Sequence, residues 1–145
     1  MSCLPASISA IQRTSAGTQG IVAAKLAKQL YAGSLLTATA TSRAICKHSP
    51  QQVTLVAMGL DGRRRTDEDE LCAIHLRNLL QGRQGSASGT RDVILAGPQI
   101  PDFADPTKPH LHPRDLDIAL DVDRYDFAVR ILIEDKRLIA RKEAA

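Results

Sequence analysis

The sequence has no tryptophan, and aromatic residues make up only 3% of its 145 positions. Base stacking on aromatic platforms is therefore not on offer, which argues against single-stranded nucleic acid as a partner. The core must be built from Leu, Ile, Val and Ala. Cysteine is scarce: Cys3, Cys46 and Cys72, an odd count with no CxxC spacing. That pattern supports neither a disulfide framework nor a structural zinc site, and it fits a reducing, cytoplasmic compartment. Cys46 and Cys72 fall on apolar helical positions and are expected to be buried thiols. No apolar run reaches membrane-spanning length, because Lys25 and Lys28 interrupt the longest candidate. The N-terminus lacks a basic head followed by an apolar block, so no secretory signal is read there. The charge is nearly balanced, with 19 basic and 16 acidic residues. Arg63-Arg64-Arg65 is the one basic cluster, and it reads as a solvated loop or an anion contact, not a nucleic-acid surface. No internal repeat is present, and the length suits one domain spanning residues 1–145.

What the sequence does contain is concentrated in Arg13-Thr14-Ser15-Ala16-Gly17-Thr18-Gln19-Gly20. This stretch lies between a short apolar segment, Ile8 to Gln12, read as a strand, and an amphipathic run, Ile21 to Tyr31, read as a helix. In the run, Val22, Leu26 and Leu30 form one stripe. A strand-to-helix turn rich in hydroxyls and glycine aims backbone N–H groups and the positive helix end at one point, which suits phosphate or another oxyanion. The plainer alternative is a polar loop whose Thr18 caps the helix.

Further along, Ser34 to Ala38 reads as a short strand, and Thr39 to Cys46 as a helix closed by Pro50. Val53 to Met58 is the strongest strand signal, a nearly continuous apolar run of the kind covered on both faces. Thr66 opens a helix with capping-box spacing to Asp69, Leu76 and Cys72 lie on its buried stripe, and Gly82 stops it. Gln84 to Thr90 reads as a flexible loop, and the following prolines leave little regular structure beyond Val93 to Ala96. Pro113 starts a short helix to Leu120. Phe127 to Ile133, a turn at Glu134-Asp135-Lys136, and Arg137 to Arg141 form a hairpin. Strands and helices alternate, so the expected class is α/β: a layered sheet with helices packed on it, ending in a β-hairpin.

Asp67-Glu68-Asp69-Glu70 stands just beyond the best strand, where carboxylates can hold Mg²⁺. The helix dipole alone also favours acids in a first turn, and from the residues alone this is the stronger account. Asp115, Asp117, Asp121, Asp123 and Asp126 lack the glycine and terminal glutamate of a calcium loop and read as caps or solvated positions. His110 and His112 have no third metal ligand at a defined spacing.

Several segments taken in order resemble the 2-phosphosulfolactate phosphatases, the ComB-like proteins. They are the turn 13–20, Ala32-Gly33-Ser34 through Ala38-Thr39-Ala40-Thr41, Val53-Thr54-Leu55-Val56-Ala57-Met58-Gly59, and Glu68-Asp69-Glu70-Leu71-Cys72-Ala73. His112-Pro113-Arg114-Asp115-Leu116 and Asp121 to Phe127 resemble that family's C-terminal region. The resemblance implies a layered α/β fold and Mg²⁺-dependent hydrolysis of a small anionic phosphate ester. It implies Arg13, Thr14, Ser15, Gly17 and Thr18 as the phosphate-contacting turn, with Arg13, Glu68 and Asp69 as catalytic groups and Glu68 and Asp69 as Mg²⁺ ligands. It further implies an N-terminal part with a Gly-Phe-Asp-x-Gly-Asn-Ser-Pro-like motif that is not found here. The chain is thus expected to be the C-terminal portion of the fold, with exposed sheet edges that favour a homo-oligomer. The alternative expectation is a catalytically inactive remnant that binds an oxyanion or a partner chain.

Overall fold

The structure is a computed structural model and describes residues 10–14 and 16–145. Residues 8 and 9 of the expected first strand and Ser15 of the turn lie outside the described residues. Residues 10–14 are irregular.

The architecture is mixed α and β. In chain order it runs α1 (Gly17–Ala23), β1 (Leu30–Ala32), a 3₁₀ turn (Leu35–Thr37), α2 (Ala38–Lys47), α3 (Asp67–Leu80) and α4 (Ala87–Leu95). A second 3₁₀ turn (Ile100–Ala104), α5 (Pro113–Ala119), β2 (Phe127–Glu134) and β3 (Arg137–Ala144) complete it. One antiparallel sheet has the order β1-β2-β3. Leu30 faces Ile131 across β1 and β2, and Phe127 to Glu134 run against Ala144 to Arg137. The hairpin forms where expected because its two turn residues, Asp135 and Lys136, both take positive φ (48° and 63°). That backbone twist matches the twist of the strands it joins.

The core sits between α2, the sheet and the helices that follow. α2 presents small residues inward: Ala38, Ala40, Thr41 and Ala44 are buried, as is Ala128 on β2. Small side chains let helix and sheet approach closely. A second cluster joins Leu35, Ile94 and Leu120, with Leu71, Cys72, Leu95, Ile100 and Val122 packed around it. At Gly33 the backbone runs so near α3 that an added Cβ would lie 2.9 Å from Leu76 Cδ1.

α2 is capped from far along the chain. Asp123 accepts hydrogen bonds from the Thr39 N–H and the Thr39 hydroxyl, both at 2.6 Å. Asp115 accepts from the His112 N–H, closing a capping box on α5. Asp121 pairs with Arg124. Asp115 and Asp123 are thus caps, and Asp121 forms a surface pair.

Several expectations are corrected, the first being Ser34 to Ala38, which is no strand: Leu35–Thr37 is a 3₁₀ turn and Ala38 opens α2. The helix over 21–31 ends at Ala23. Its intended stripe finds nothing to pack on, since Val22 and Leu26 are 52% and 92% exposed, and a short helix without a buried face is marginal. Val53 to Met58 is in no strand. The Gly/Ser-rich stretch is not all loop: the Ser86 hydroxyl accepts from the Gly89 N–H and starts α4 at Ala87. Cys46 is exposed, and Cys72 is only half-buried.

Candidate functional site

The site grows out of two loops. The first is the 13–18 turn. The Thr14 N–H donates to the Thr18 hydroxyl oxygen at 3.4 Å, the Thr18 N–H donates to Thr14 Oγ1 at 3.2 Å, and the Thr18 hydroxyl donates to the Thr14 carbonyl at 2.8 Å. Thr14 and Thr18 thus close the turn on each other. The Thr18 N–H that could have met an anion is already occupied, which removes a donor the turn was expected to offer. Gly17 lies beneath Thr14: a Cβ there would come 3.2 Å from Thr14 Oγ1. Arg13 and Thr14 remain exposed.

The second loop follows Met58. Leu60 and Arg64 pair across it, the Leu60 N–H donating to the Arg64 carbonyl at 2.8 Å and the Arg64 N–H returning to the Leu60 carbonyl at 3.1 Å. Asp61 and Gly62 both have positive φ (56° and 66°), the conformation an Asp-Gly pair supplies in a tight turn. Gly59 also has positive φ, and a Cβ there would collide with the Arg64 carbonyl. The Gly59 N–H donates to Asp69 Oδ2 at 2.6 Å, which ties the loop to the first turn of α3. α1 is brought alongside because Gly20 leaves room for Met58, whose sulfur would strike any Cβ at that position.

These contacts place Arg13, Thr14 and Gln19 opposite Asp61 and Arg63, around an open cleft of about 460 Å³. Among the described residues, Arg13, Asp61 and Arg63 belong to no ion pair. Two guanidinium groups with no carboxylate partner among the described residues line one cleft, an arrangement whose chemistry would suit an anion that they can fork. Asp61 and Gln19 were not singled out in the sequence. The signal available for Asp61 was the Asp-Gly pair directly after a strong apolar run, a mark of a tight turn at a strand end.

The acidic start of α3 resolves into separate duties. Asp69 holds Gly59, so the expected capping box with Thr66 is not made; the Thr66 hydroxyl is buried without a partner among the described residues. Glu70 accepts a two-pronged contact from Arg65, Nε to Oε1 at 2.8 Å and a terminal nitrogen to Oε2 at 2.7 Å. That contact holds the Glu70 carboxyl below its usual range. Glu68 is exposed. Glu68 and Asp69 are neighbours in sequence and leave the helix about 100° apart, and Asp69 is the one of the two that the Gly59 N–H engages. Among the described residues, no group of three His, Cys, Asp or Glu side chains converges as a metal site.

The hydroxyls of Ser34, Thr37 and Thr41 do not line the cleft. Ser34, Thr37 and Thr41 form a chain of hydroxyl contacts at 3.2 and 3.3 Å, with Thr37 and Thr41 buried against the core. At Cys72, burial and the nearby Asp69 charge push the thiol up to about 11, so it is an inert core thiol at neutral pH.

A family model described as 2-phosphosulpholactate phosphatase matches residues 6–100. The matched span takes in both cleft loops, α1 to α4 and the 3₁₀ start at Ile100, and it stops before α5 and the hairpin. No curated protein and no solved structure matches the chain. Among the described residues, no helix is long and apolar enough to cross a membrane.

Proposed function

We propose, since the chain belongs to the 2-phosphosulpholactate phosphatase family, that the Arg13–Arg63 cleft binds a small anionic phosphate ester for hydrolysis, 2-phosphosulfolactate being the substrate the family name suggests. The observation that supports this is the meeting of Arg13 and Thr14 with Arg63 and Asp61 around one open cleft. Hydrolysis bonds a water oxygen to phosphorus and breaks the ester P–O bond, and the departing alkoxide takes up a proton. Charge on the transferring phosphoryl oxygens is the main thing a protein must balance in this reaction. The two arginines supply fixed positive charge at the cleft, and the Gln19 side chain adds polar groups that can orient the ester. Asp69 acts one step back, holding the loop that carries Asp61 and Arg63.

Mg²⁺ fits this donor set through one protein carboxylate, because the ion commonly keeps its waters and shares the substrate's phosphate. Asp61 is the carboxylate on the cleft. When bound, Mg²⁺ would neutralise charge on the phosphate. Glu68 stands on the exposed side of α3 and has no part in this reading.

The test is phosphate release from 2-phosphosulfolactate, and from a generic phosphomonoester, by purified protein with Mg²⁺. Arg13→Ala and Arg63→Ala should each lower kcat/KM about tenfold to a hundredfold, the range for loss of a charge-assisted contact. An Arg63→Ala enzyme with full activity would remove the cleft from the reaction. Calorimetric binding of sulfate without turnover, abolished by Arg13→Ala, would favour the reading of an oxyanion-binding chain that does not hydrolyse.

A further inference from the structure

Each wall of the cleft is fixed from within. Thr14 and Thr18 close the first turn on each other, and Leu60 and Arg64 pair across the second loop. Between the walls lies the Met58 side chain. On one side it packs on α1 at Gly20, where an added Cβ would strike the sulfur and come 3.0 Å from Cε and 3.2 Å from Cγ. On the other side its methyl reaches Gly62, where an added Cβ would lie 3.6 Å away. Gly20 follows Gln19, and Gly62 stands between Asp61 and Arg63, so the thioether lies against backbone next to cleft residues of both walls. The residue after it is tied down, since the Gly59 N–H donates to Asp69 Oδ2. Met58 therefore projects from a point anchored on α3 towards both walls.

A seven-residue helix with no buried residue draws its order from contacts of this kind. Methionine suits the place, because an unbranched, polarizable thioether fills an irregular gap. It is also a side chain whose packing one oxygen atom undoes: the sulfoxide is polar and larger. Met58 is only half-buried, which leaves it open to a small oxidant. The approach at Gly20 is too close to take a further heavy atom on that side of the sulfur.

We propose that Met58 is a positioning residue that latches α1 to the Asp61–Arg63 loop, and that oxidation of its thioether by a peroxide releases the latch and loosens the cleft. The loss of anion affinity that follows rests on the function proposed above; the latch stands on the packing alone. In the step, one peroxide oxygen bonds to Sδ as the O–O bond breaks, and the other oxygen leaves as water. Sulfur gives up two electrons and the peroxide takes them. The sulfoxide is returned to the thioether by methionine sulfoxide reductases, so the change is reversible.

Hydrogen exchange on the full chain before and after hydrogen peroxide, with Met58 oxidation followed by mass, tests this. Met1 is the only other methionine, and Met58→Leu, a swap that keeps the volume, treated in parallel accounts for Met1 and the thiols. The Gly20 and Ala24 amides, which donate to the Ala16 and Gly20 carbonyls, should exchange about tenfold faster once Met58 is oxidised, with β2 unchanged. Inorganic sulfate, titrated calorimetrically, should bind about tenfold more weakly. Met58→Leu should resist both changes. Met58→Gln, polar and of similar length, should reproduce them without peroxide, and it serves should Met58→Leu fail to fold. The proposal is overturned by a Met58 that peroxide leaves untouched in the folded chain, by wild-type exchange across α1 after oxidation, or by a Met58→Leu chain that responds as the wild type does. A wild-type chain that binds no sulfate removes the anion function of the cleft, and the exchange of α1 then still decides the latch.

Discussion

Strand β2 and the segment 53–58 are built from the same kinds of side chain, and they differ in what lies beside them. β2 has β1 on one side and β3 on the other, joined to β3 by a two-residue turn. Its backbone pairs with β3 along its length and with β1 from Val129 to Ile131; Ala128 is fully buried and Ile131 is 9% exposed. The 53–58 segment has comparable aliphatic content but, among the described residues, no strand beside it, and it stays irregular with Val56 largely in solvent. Strand propensity therefore describes a surface that suits a sheet; it does not supply the sheet. The difference also separates duties. The paired region carries stability, and the unpaired one leads into the loop that brings Asp61 and Arg63 to the cleft.

The largest expected effect that could break this contrast is in the core. Ile131→Ala should cost about 2–4 kcal/mol of unfolding free energy, as buried Ile-to-Ala changes do, whereas Val56→Ala should stay within about 0.5 kcal/mol. Comparable losses in thermal or urea melts would mean that 53–58 is packed in solution. Next is Gly59→Ala. A side chain at its positive φ, against the Arg64 carbonyl, should cost about 1–3 kcal/mol in local strain. It should displace Arg63 and weaken anion binding more than it lowers the melting temperature; a melting loss with binding intact would contradict the division of labour.

Smaller effects come from the ionisable groups that tie the sheet together. The Tyr31 hydroxyl donates to Glu143 at 3.0 Å, and Arg130 lies 3.1 Å from the same carboxylate. Burial and the Glu143 contact push Tyr31 up to about 12. A group raised in the folded state stabilises fully below its unfolded value near 10 and loses that contribution as pH rises to the folded value. Stability should therefore fall between about pH 10 and 12, and Tyr31→Phe should flatten that fall in pH-resolved denaturation. Burial works against the Glu143 charge, but the Tyr31 hydrogen bond and Arg130 hold its carboxyl below the ordinary range. Its contribution is present above the unfolded value and fades as pH drops through the folded one, and Glu143→Gln should shallow the acid limb. The smallest effect concerns the thiols: an aromatic disulfide reagent should label exposed Cys46 promptly and Cys72 only on unfolding.

How far the sequence could be read depended on whether each element carries its own instructions. The hairpin does, because Asp135 and Lys136 accept positive φ and the strands they join are adjacent. α3 and α5 do, with their acidic and proline starts. The run 21–31 shows the opposite: its i, i+4 stripe is intact, but the surface it needs is not there, so the helix ends at Ala23 and β1 forms instead. In the cleft, Arg13 and Thr14 belong to a turn that the sequence singles out by its hydroxyls, glycines and arginine. Asp61 and Arg63 came to face them only because Gly20 admits Met58 and Asp69 holds Gly59. Those are tertiary contacts, with no periodicity to announce them. Asp69 is engaged with Gly59 and Glu68 is exposed, a division of duties between neighbours that sequence alone does not announce.

The cap on α2 has a consequence for how the chain is made. Thr39 finds its acceptor in Asp123, 84 positions later, and β1 finds β2 later still. At synthesis rates of about 5–20 residues per second, some 4–17 seconds separate the appearance of the helix start from that of the carboxylate that completes it. Through that interval the alanine-rich helix has neither its cap nor the sheet it covers. A nascent chain stalled before residue 123 should expose this helix to chaperones and proteases, and release of a few more residues should close it.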